Sequence, residues 1–84
     1  MASYSVLIKR SAAKELEEVE LRDRRRVVDR IRALAGEPRP PGCEKLSGNK
    51  YRIRQGALRI LYEIADEELT VTVVKIGHRR DVYR

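Results

Sequence analysis

Apolar and polar residues alternate most regularly from Lys50 to Ile64, KYRIRQGALRILYEI. Successive strand side chains point to opposite sides of a sheet, so Tyr51 and Ile53 fall on one face and Lys50, Arg52 and Arg54 on the other. Gln55-Gly56-Ala57 interrupts the alternation at a glycine, which can take the positive φ of a tight turn. The segment predicts a β-hairpin with Arg59 on its return arm. Four basic residues and no acidic one lie between Lys50 and Tyr62.

Upstream, Tyr4 to Lys9, YSVLIK, reads as a short strand whose apolar middle suggests burial on both faces. Ser11 is a candidate helix cap, and Ala12, Ala13, Leu16 and Val19 follow at helical spacing. Glu15, Glu17, Glu18 and Glu20 occupy the outer surface of that helix. A second apolar stripe, Leu21, Val27, Val28, Ile31, Leu34 and Ala35, predicts a second helix or a kinked continuation. The break is expected near Leu21 to Asp23, with Asp23 as a possible cap. Gly36 stops the helix and EPRPPG, Glu37 to Gly42, predicts an extended linker. Leu46 is expected to dip into the core before Ser47-Gly48-Asn49 turns the chain. After the hairpin, Asp66-Glu67-Glu68 reads as a polar turn and Leu69 to Ile76, LTVTVVKI, as a strongly β-branched strand.

This order predicts an α+β fold, a two-layer β-α-α-β-β-β domain in which a four-stranded, mainly antiparallel sheet carries both helices on one face. Tyr51, Ile53, Leu58, Ile60, Tyr62 and Ile64 should meet the helices. Arg52, Arg54 and Arg59 are then left on an open, basic face. At 84 residues and 9.7 kDa the chain supports one core, hence a single domain over residues 1–84.

Charge sharpens this picture. Hydrophobic residues make up 42% and charged residues 38%, enough apolar material to fold, and the net charge of +6 favours an anionic partner. Arg22, Arg24, Arg25, Arg26, Arg30 and Arg32 make the second helix basic, but it lacks the paired-helix spacing and polar reading face of a helix-turn-helix and is read as a solvated surface. Cys43 is the only cysteine, which excludes an intramolecular disulfide and fits an inert thiol in a reducing cytosol. The apolar run near the N-terminus is short, and nothing approaches the roughly 20 residues of a membrane helix. A cytoplasmic protein without membrane partners is expected.

The last eight residues, GHRRDVYR, hold the only histidine, three arginines and a tyrosine directly after a strand. A meander would bring His78, Arg79, Arg80 and Tyr83 to the rim of the basic face. The sequence has no His, Cys and carboxylate cluster at metal-ligand spacing, no glycine-rich phosphate loop and no nucleophile with a plausible triad, so no cofactor is implied. RNA cleavage by the ribose 2′-OH needs none of these. It needs an oriented nucleophile, cations on the pentavalent phosphate and routes for protons, and arginine's forked donors suit the second task.

Nearly the whole chain, most specifically the hairpin YRIRQGALRILYEI and the closing GHRRDVY, resembles the RelE/ParE superfamily of bacterial and archaeal type II toxins, and within it the RelE branch. The resemblance implies a ribosome-dependent mRNA interferase that cleaves mRNA in the A site and leaves a 2′,3′-cyclic phosphate. Its implied partners are the ribosome, mRNA and a cognate antitoxin. By position, Arg52 and Arg54 match two basic residues of the family's concave face, where the best-known pattern has lysines. Arg59 matches the arginine on the next strand, Arg79 or Arg80 the one after the last strand, and Tyr83 the C-terminal tyrosine.

The implied catalytic set is Arg59, Arg79 or Arg80 and Tyr83, with His78 as a loosely matched general acid and Lys50, Arg52 and Arg54 binding RNA. Each has a plainer reading beside it. The strand arginines are a solvated face, Tyr83 is a terminal core aromatic, and His78 is a surface histidine. A function of another class also fits the superfamily, namely a ParE-like toxin that inhibits DNA gyrase without cleaving RNA, as does a degenerate member that only binds its antitoxin.

Overall fold

In the computed structural model, which describes residues 3–78, the hydrophobic alternation of the hairpin becomes the middle of a five-stranded sheet. The elements are β1 (Ser5–Ile8), α1 (Arg10–Glu17), α2 (Leu21–Ala33), β2 (Glu44–Ser47), β3 (Lys50–Gln55), β4 (Leu58–Ala65) and β5 (Thr70–His78), with a 3-10 turn at Asp66–Glu68. The sheet order is β1-β5-β4-β3-β2; β1 runs parallel to β5 and the other pairs are antiparallel. The α+β class is as expected, but the sheet has one strand more than the sequence reading allowed. The end of the linker folds back on β3 as β2, because Ser47-Gly48-Asn49 is a hairpin turn rather than a simple bend, with Gly48 at φ +52°.

The core lies between the helices and one sheet face. Ala12 of α1 and Val27 and Ile31 of α2, with Leu34, pack with Tyr51, Ile53, Leu58, Ile60, Tyr62, Ile64, Val71, Val73 and Ile76. β3 and β4 are joined by a two-residue turn, Gly56-Ala57, in which Gly56 has φ +62°. Positive φ at the first turn residue matches the twist of an antiparallel hairpin.

A bulge then sets the far strand. Leu61 pairs with Lys75 but Tyr62 pairs with Val73, so Val74 is the extra residue. The bulge shifts the alternation by one: Val71 and Val73 face the core before it and Ile76 after it. A regular strand would have aimed Lys75 into the core instead.

Several local expectations are corrected. β1 is an edge strand, not a doubly buried one: it pairs only with β5, and Leu7 and Ile8 are exposed. Leu46 is exposed too, because β2 forms the opposite edge. Neither Ser11 nor Asp23 caps a helix; the caps are Lys9 and Glu20, and no side-chain cap bond forms. Lys9 instead ends β1 by donating its N–H to Val73 O at 2.9 Å and accepts the Ala13 N–H at 2.8 Å, so the strand runs straight into α1. The helices separate at Glu18–Glu20, where Arg24 Nη2 donates to the carbonyls of Glu17 (2.8 Å) and Val19 (3.1 Å). That cation satisfies carbonyls that a continuous helix would have used.

The proline linker is pinned rather than loose. The buried Tyr62 hydroxyl donates to Pro38 O at 2.7 Å. Arg39 lies over the Tyr51 ring, 5.1 Å from its centroid, donates to the Tyr51 hydroxyl, and forms a two-pronged bond to Asp66. Tyr4 donates its hydroxyl to the same carboxylate at 2.7 Å. Asp66 thus ties the first strand, the linker and the β4–β5 turn together. Among the described residues no helix is long and apolar enough to cross a membrane.

Two outcomes follow for stability. Ile60 is fully buried on the central strand, so Ile60→Ala should cost about 2–5 kcal/mol, read as a lower urea midpoint at unchanged slope. The hydrogen bonds from Arg39 and then Tyr4 hold the Asp66 carboxyl below the usual carboxylate range. A depressed folded-state pKa contributes stability above the unfolded value of about 4 and loses it as pH falls. Asp66→Asn should therefore lower the melting temperature at pH 7, and the gap should close on acidification below about pH 4.

Candidate nucleic-acid interface

Cross-strand partners share a face of the sheet. Arg54 stands opposite Arg59, Arg52 opposite Leu61, and Glu44 opposite Arg52. These residues occupy the side of the sheet away from the helices, since their neighbours Ile53 and Ile60 are in the core. Sheet pairing thus brings together the three arginines proposed from the sequence and adds a carboxylate to them.

The face is less open than expected. Arg52 is 7% and Arg59 4% exposed, whereas the Arg54 side chain is 58% exposed. Topology explains the difference. Arg59 lies on β4, between β3 and β5, and Arg52 lies where β2 still pairs with β3. β2 reaches only as far as the Glu44–Arg52 pair, so Arg54 extends beyond its end. Burial holds a guanidinium in one orientation and strengthens its interaction with an anion, while making an unbalanced charge costly.

Glu44 supplies part of the balance. Arg52 Nη2 donates to Glu44 Oε2 at 3.0 Å, and Arg54 Nη2 lies 3.7 Å from Glu44 Oε1. The hydrogen bond from Arg52, reinforced by the positive charges of Arg52, Arg54 and Arg59, holds the Glu44 carboxyl below the usual range against the opposing effect of desolvation. Arg30 of α2 donates to Arg54 O at 3.4 Å, linking the helical layer to this end of β3. Lys50 is exposed at the start of β3, opposite Glu63.

His78 sits elsewhere. The bulge puts it opposite Leu58, in register with the core-facing positions, and Gly77 opposite Arg59. His78 lines a cleft of about 460 Å³ with Glu15, Glu18, Glu20 and Asp23 of the helical layer. The expected position on the rim of the arginine face is thus corrected for His78. Arg79, Arg80 and Tyr83 lie outside the described residues. Among the described residues no group of His, Cys, Asp and Glu is placed to hold a metal ion.

Sequence reasoning passed over two carboxylates. Glu44 was hidden in a linker, although the Ser-Gly-Asn turn after it was a usable sign of a strand before it. Glu15 was assigned to a solvated surface, but it accepts the Ile76 N–H at 2.9 Å and Lys75 Nζ at 2.8 Å. It occupies the edge of β5 beyond Val73, where pairing with β1 stops.

Similarity to known proteins extends over nearly the whole chain. Residues 6–83 match the family model described as the ParE toxin of type II toxin–antitoxin system, parDE. Toxin RelG of Mycobacterium tuberculosis is 41% identical over 44 residues, which are 52% of this chain and 49%, about half, of that protein. A putative RelE-like toxin protein of Escherichia coli is 28% identical over 95% of this chain and 90% of its own length. Among solved structures, a chain of the RelBE2 toxin–antitoxin complex of M. tuberculosis superposes with a TM-score of 0.82 at 29% identity, covering 94% of each chain. A chain of the archaeal RelE–RelB complex of Pyrococcus horikoshii gives 0.85 at 26% identity, covering 92% of this chain and 96% of its own.

The contrast in burial separates the arginines by stability. Arg54→Ala should change unfolding free energy by no more than about 0.5 kcal/mol. Arg52→Ala removes a buried stem and a charge-assisted hydrogen bond and should cost roughly 1–3 kcal/mol. Chemical denaturation of the two variants side by side checks the ordering.

Proposed function

We propose, from the premise that this chain belongs to the ParE toxin family of type II toxin–antitoxin systems, that it is a toxin of the RelE kind: a ribosome-dependent endoribonuclease that cleaves mRNA in the A site. The observation that carries the reading is the convergence of Arg52, Arg54 and Arg59 on one sheet face, with two of the three guanidinium groups buried. A surface that only needed positive charge for solubility would have no reason to desolvate it.

In this reading the ribose 2′-oxygen attacks its own 3′-phosphate. The O2′–P bond forms and the P–O5′ bond breaks; the 2′-hydroxyl gives up its proton and the departing 5′-oxygen gains one. The products are a 2′,3′-cyclic phosphate and a free 5′-hydroxyl. Arg54 and Lys50, both exposed, engage the incoming strand together with Arg52. Arg59 stabilises the charge that builds on the phosphate in the transition state, aided by Arg79 or Arg80 and Tyr83 from the tail. Arginine stays protonated, so this set binds and neutralises rather than removes the 2′ proton. His78, in the cleft on the helical side, is assigned no proton-transfer step here.

The partner that restrains such a toxin is a cognate antitoxin. This is supported by the relatives from M. tuberculosis and P. horikoshii, whose structures are toxin–antitoxin complexes.

Induction of the chain without an antitoxin should arrest growth, with primer extension on translated transcripts showing new 5′ ends within codons. Arg59→Ala should reduce that cleavage by about 10²-fold or more, and Tyr83→Phe should reduce it as well. Intact transcripts together with inhibited gyrase would instead select the non-nuclease reading. Affinity for single-stranded RNA should fall with salt, with a slope of roughly 0.7 per phosphate contacted.

A further inference from the structure

The arginine face already holds an anion. The two oxygens of Glu44 are directed at two different arginines, Oε2 at Arg52 and Oε1 at Arg54. A phosphodiester offers the same features, namely one negative charge spread over two oxygens that accept from forked guanidinium donors. It cannot use Arg52 Nη2 in the same way while the carboxylate is bound there, and a second anion beside Glu44 meets like-charge repulsion.

The carboxylate is also placed to leave. Glu44 is the first residue of a four-residue edge strand whose side chains are all exposed, and the β2–β3 pairing is irregular between Lys45 and Ser47. Its own side chain is 45% exposed, and the contact to Arg54 is long. The backbone behind it is held, by the Tyr62 bond to Pro38, the Arg39–Asp66 bond and the Cys43 N–H donated to Pro40 O at 3.0 Å, so only the side chain has to move. Rotation of one side chain into solvent releases its contacts to both guanidinium groups without unfolding the sheet.

We propose that Glu44 is a resident stand-in for phosphate, which orients Arg52 and Arg54 in the free protein and is exchanged for an RNA phosphodiester on binding. Glu44 therefore sets the affinity of the face: an anion that takes up Arg52 and Arg54 must first displace it. The inference rests on the RNA reading above for its ligand, but the exchange itself concerns only the arginine pair and an anion.

The test compares wild type with Glu44→Gln, which keeps an oxygen able to accept from Arg52 while removing the charge. Two probes are used, inorganic pyrophosphate by calorimetry and a short 2′-O-methyl RNA, which cannot be cleaved, by fluorescence anisotropy. Glu44→Gln should bind both roughly fivefold more tightly, the scale of one partly exposed charge interaction. Glu44→Asp, which keeps the charge on a shorter stem, should stay within twofold of wild type and serves as the control should the glutamine variant fold poorly.

Unchanged or weaker binding by a folded Glu44→Gln would overturn the exchange and leave Glu44 as a purely structural partner. Loss of RNA binding in Arg54→Ala without any gain in Glu44→Gln would do the same while sparing the RNA reading. A gain for pyrophosphate alone, with RNA binding insensitive to Arg54→Ala, would support the exchange and remove RNA as its ligand.

Discussion

The pleat of β4 is the constraint on which both halves of the molecule depend. Strands lie on each side of it, so alternate residues have no route to solvent along the sheet and must be satisfied above or below. Ile60, Tyr62 and Ile64 close the hydrophobic layer against the helices, and Arg59, one position out of phase, is buried on the other side. A slip of one residue would exchange these sets, placing a guanidinium in the core and isoleucines on the basic face. The apolar layer therefore does more than stabilise the fold: it holds the arginine geometry in register.

Carboxylates complete what the strands leave open. Glu15 occupies the β5 edge past the end of β1, Asp66 gathers Tyr4 and Arg39 at the β4–β5 turn, and Glu44 faces Arg52 and Arg54 at the end of β2. In a chain with 19 basic and 13 acidic residues, these three acids sit at junctions between elements. The Asp66 cluster and the buried Tyr62 hydroxyl keep the proline linker against the sheet, which fixes where β2 begins and hence where Glu44 meets the arginines. The candidate site is thus assembled by contacts on the opposite side of the sheet as well as by its own.

Exposure divides the arginine face into two parts. Arg54, beyond the last β2 pair, is exposed, while Arg52 and Arg59 are buried against the sheet. Fixed donors need little reorganisation when charge develops on a phosphate, and mobile donors tolerate a ligand of variable shape. The bulge at Val74 adds a further division, sending Gly77 to the arginine side and His78 to the acidic cleft by the helices, where the Lys75 ammonium also meets Glu15.

By itself, the sequence determined the hairpin, the two helices, the α+β class and the alternation that puts Arg52, Arg54 and Arg59 on one side, because each follows from local periodicity that any packing must respect. The phase shift of β5 at Val74 was not among these, because a β-branched run reads as an ordinary strand. Only the tertiary structure decided that the linker's end is a fifth strand, that β1 is an edge, and that two arginines are buried. Those outcomes depend on which strands lie side by side, a long-range pairing that the pattern of a single segment does not encode. The same pairing turned Glu44 from a linker residue into the counter-charge of the site.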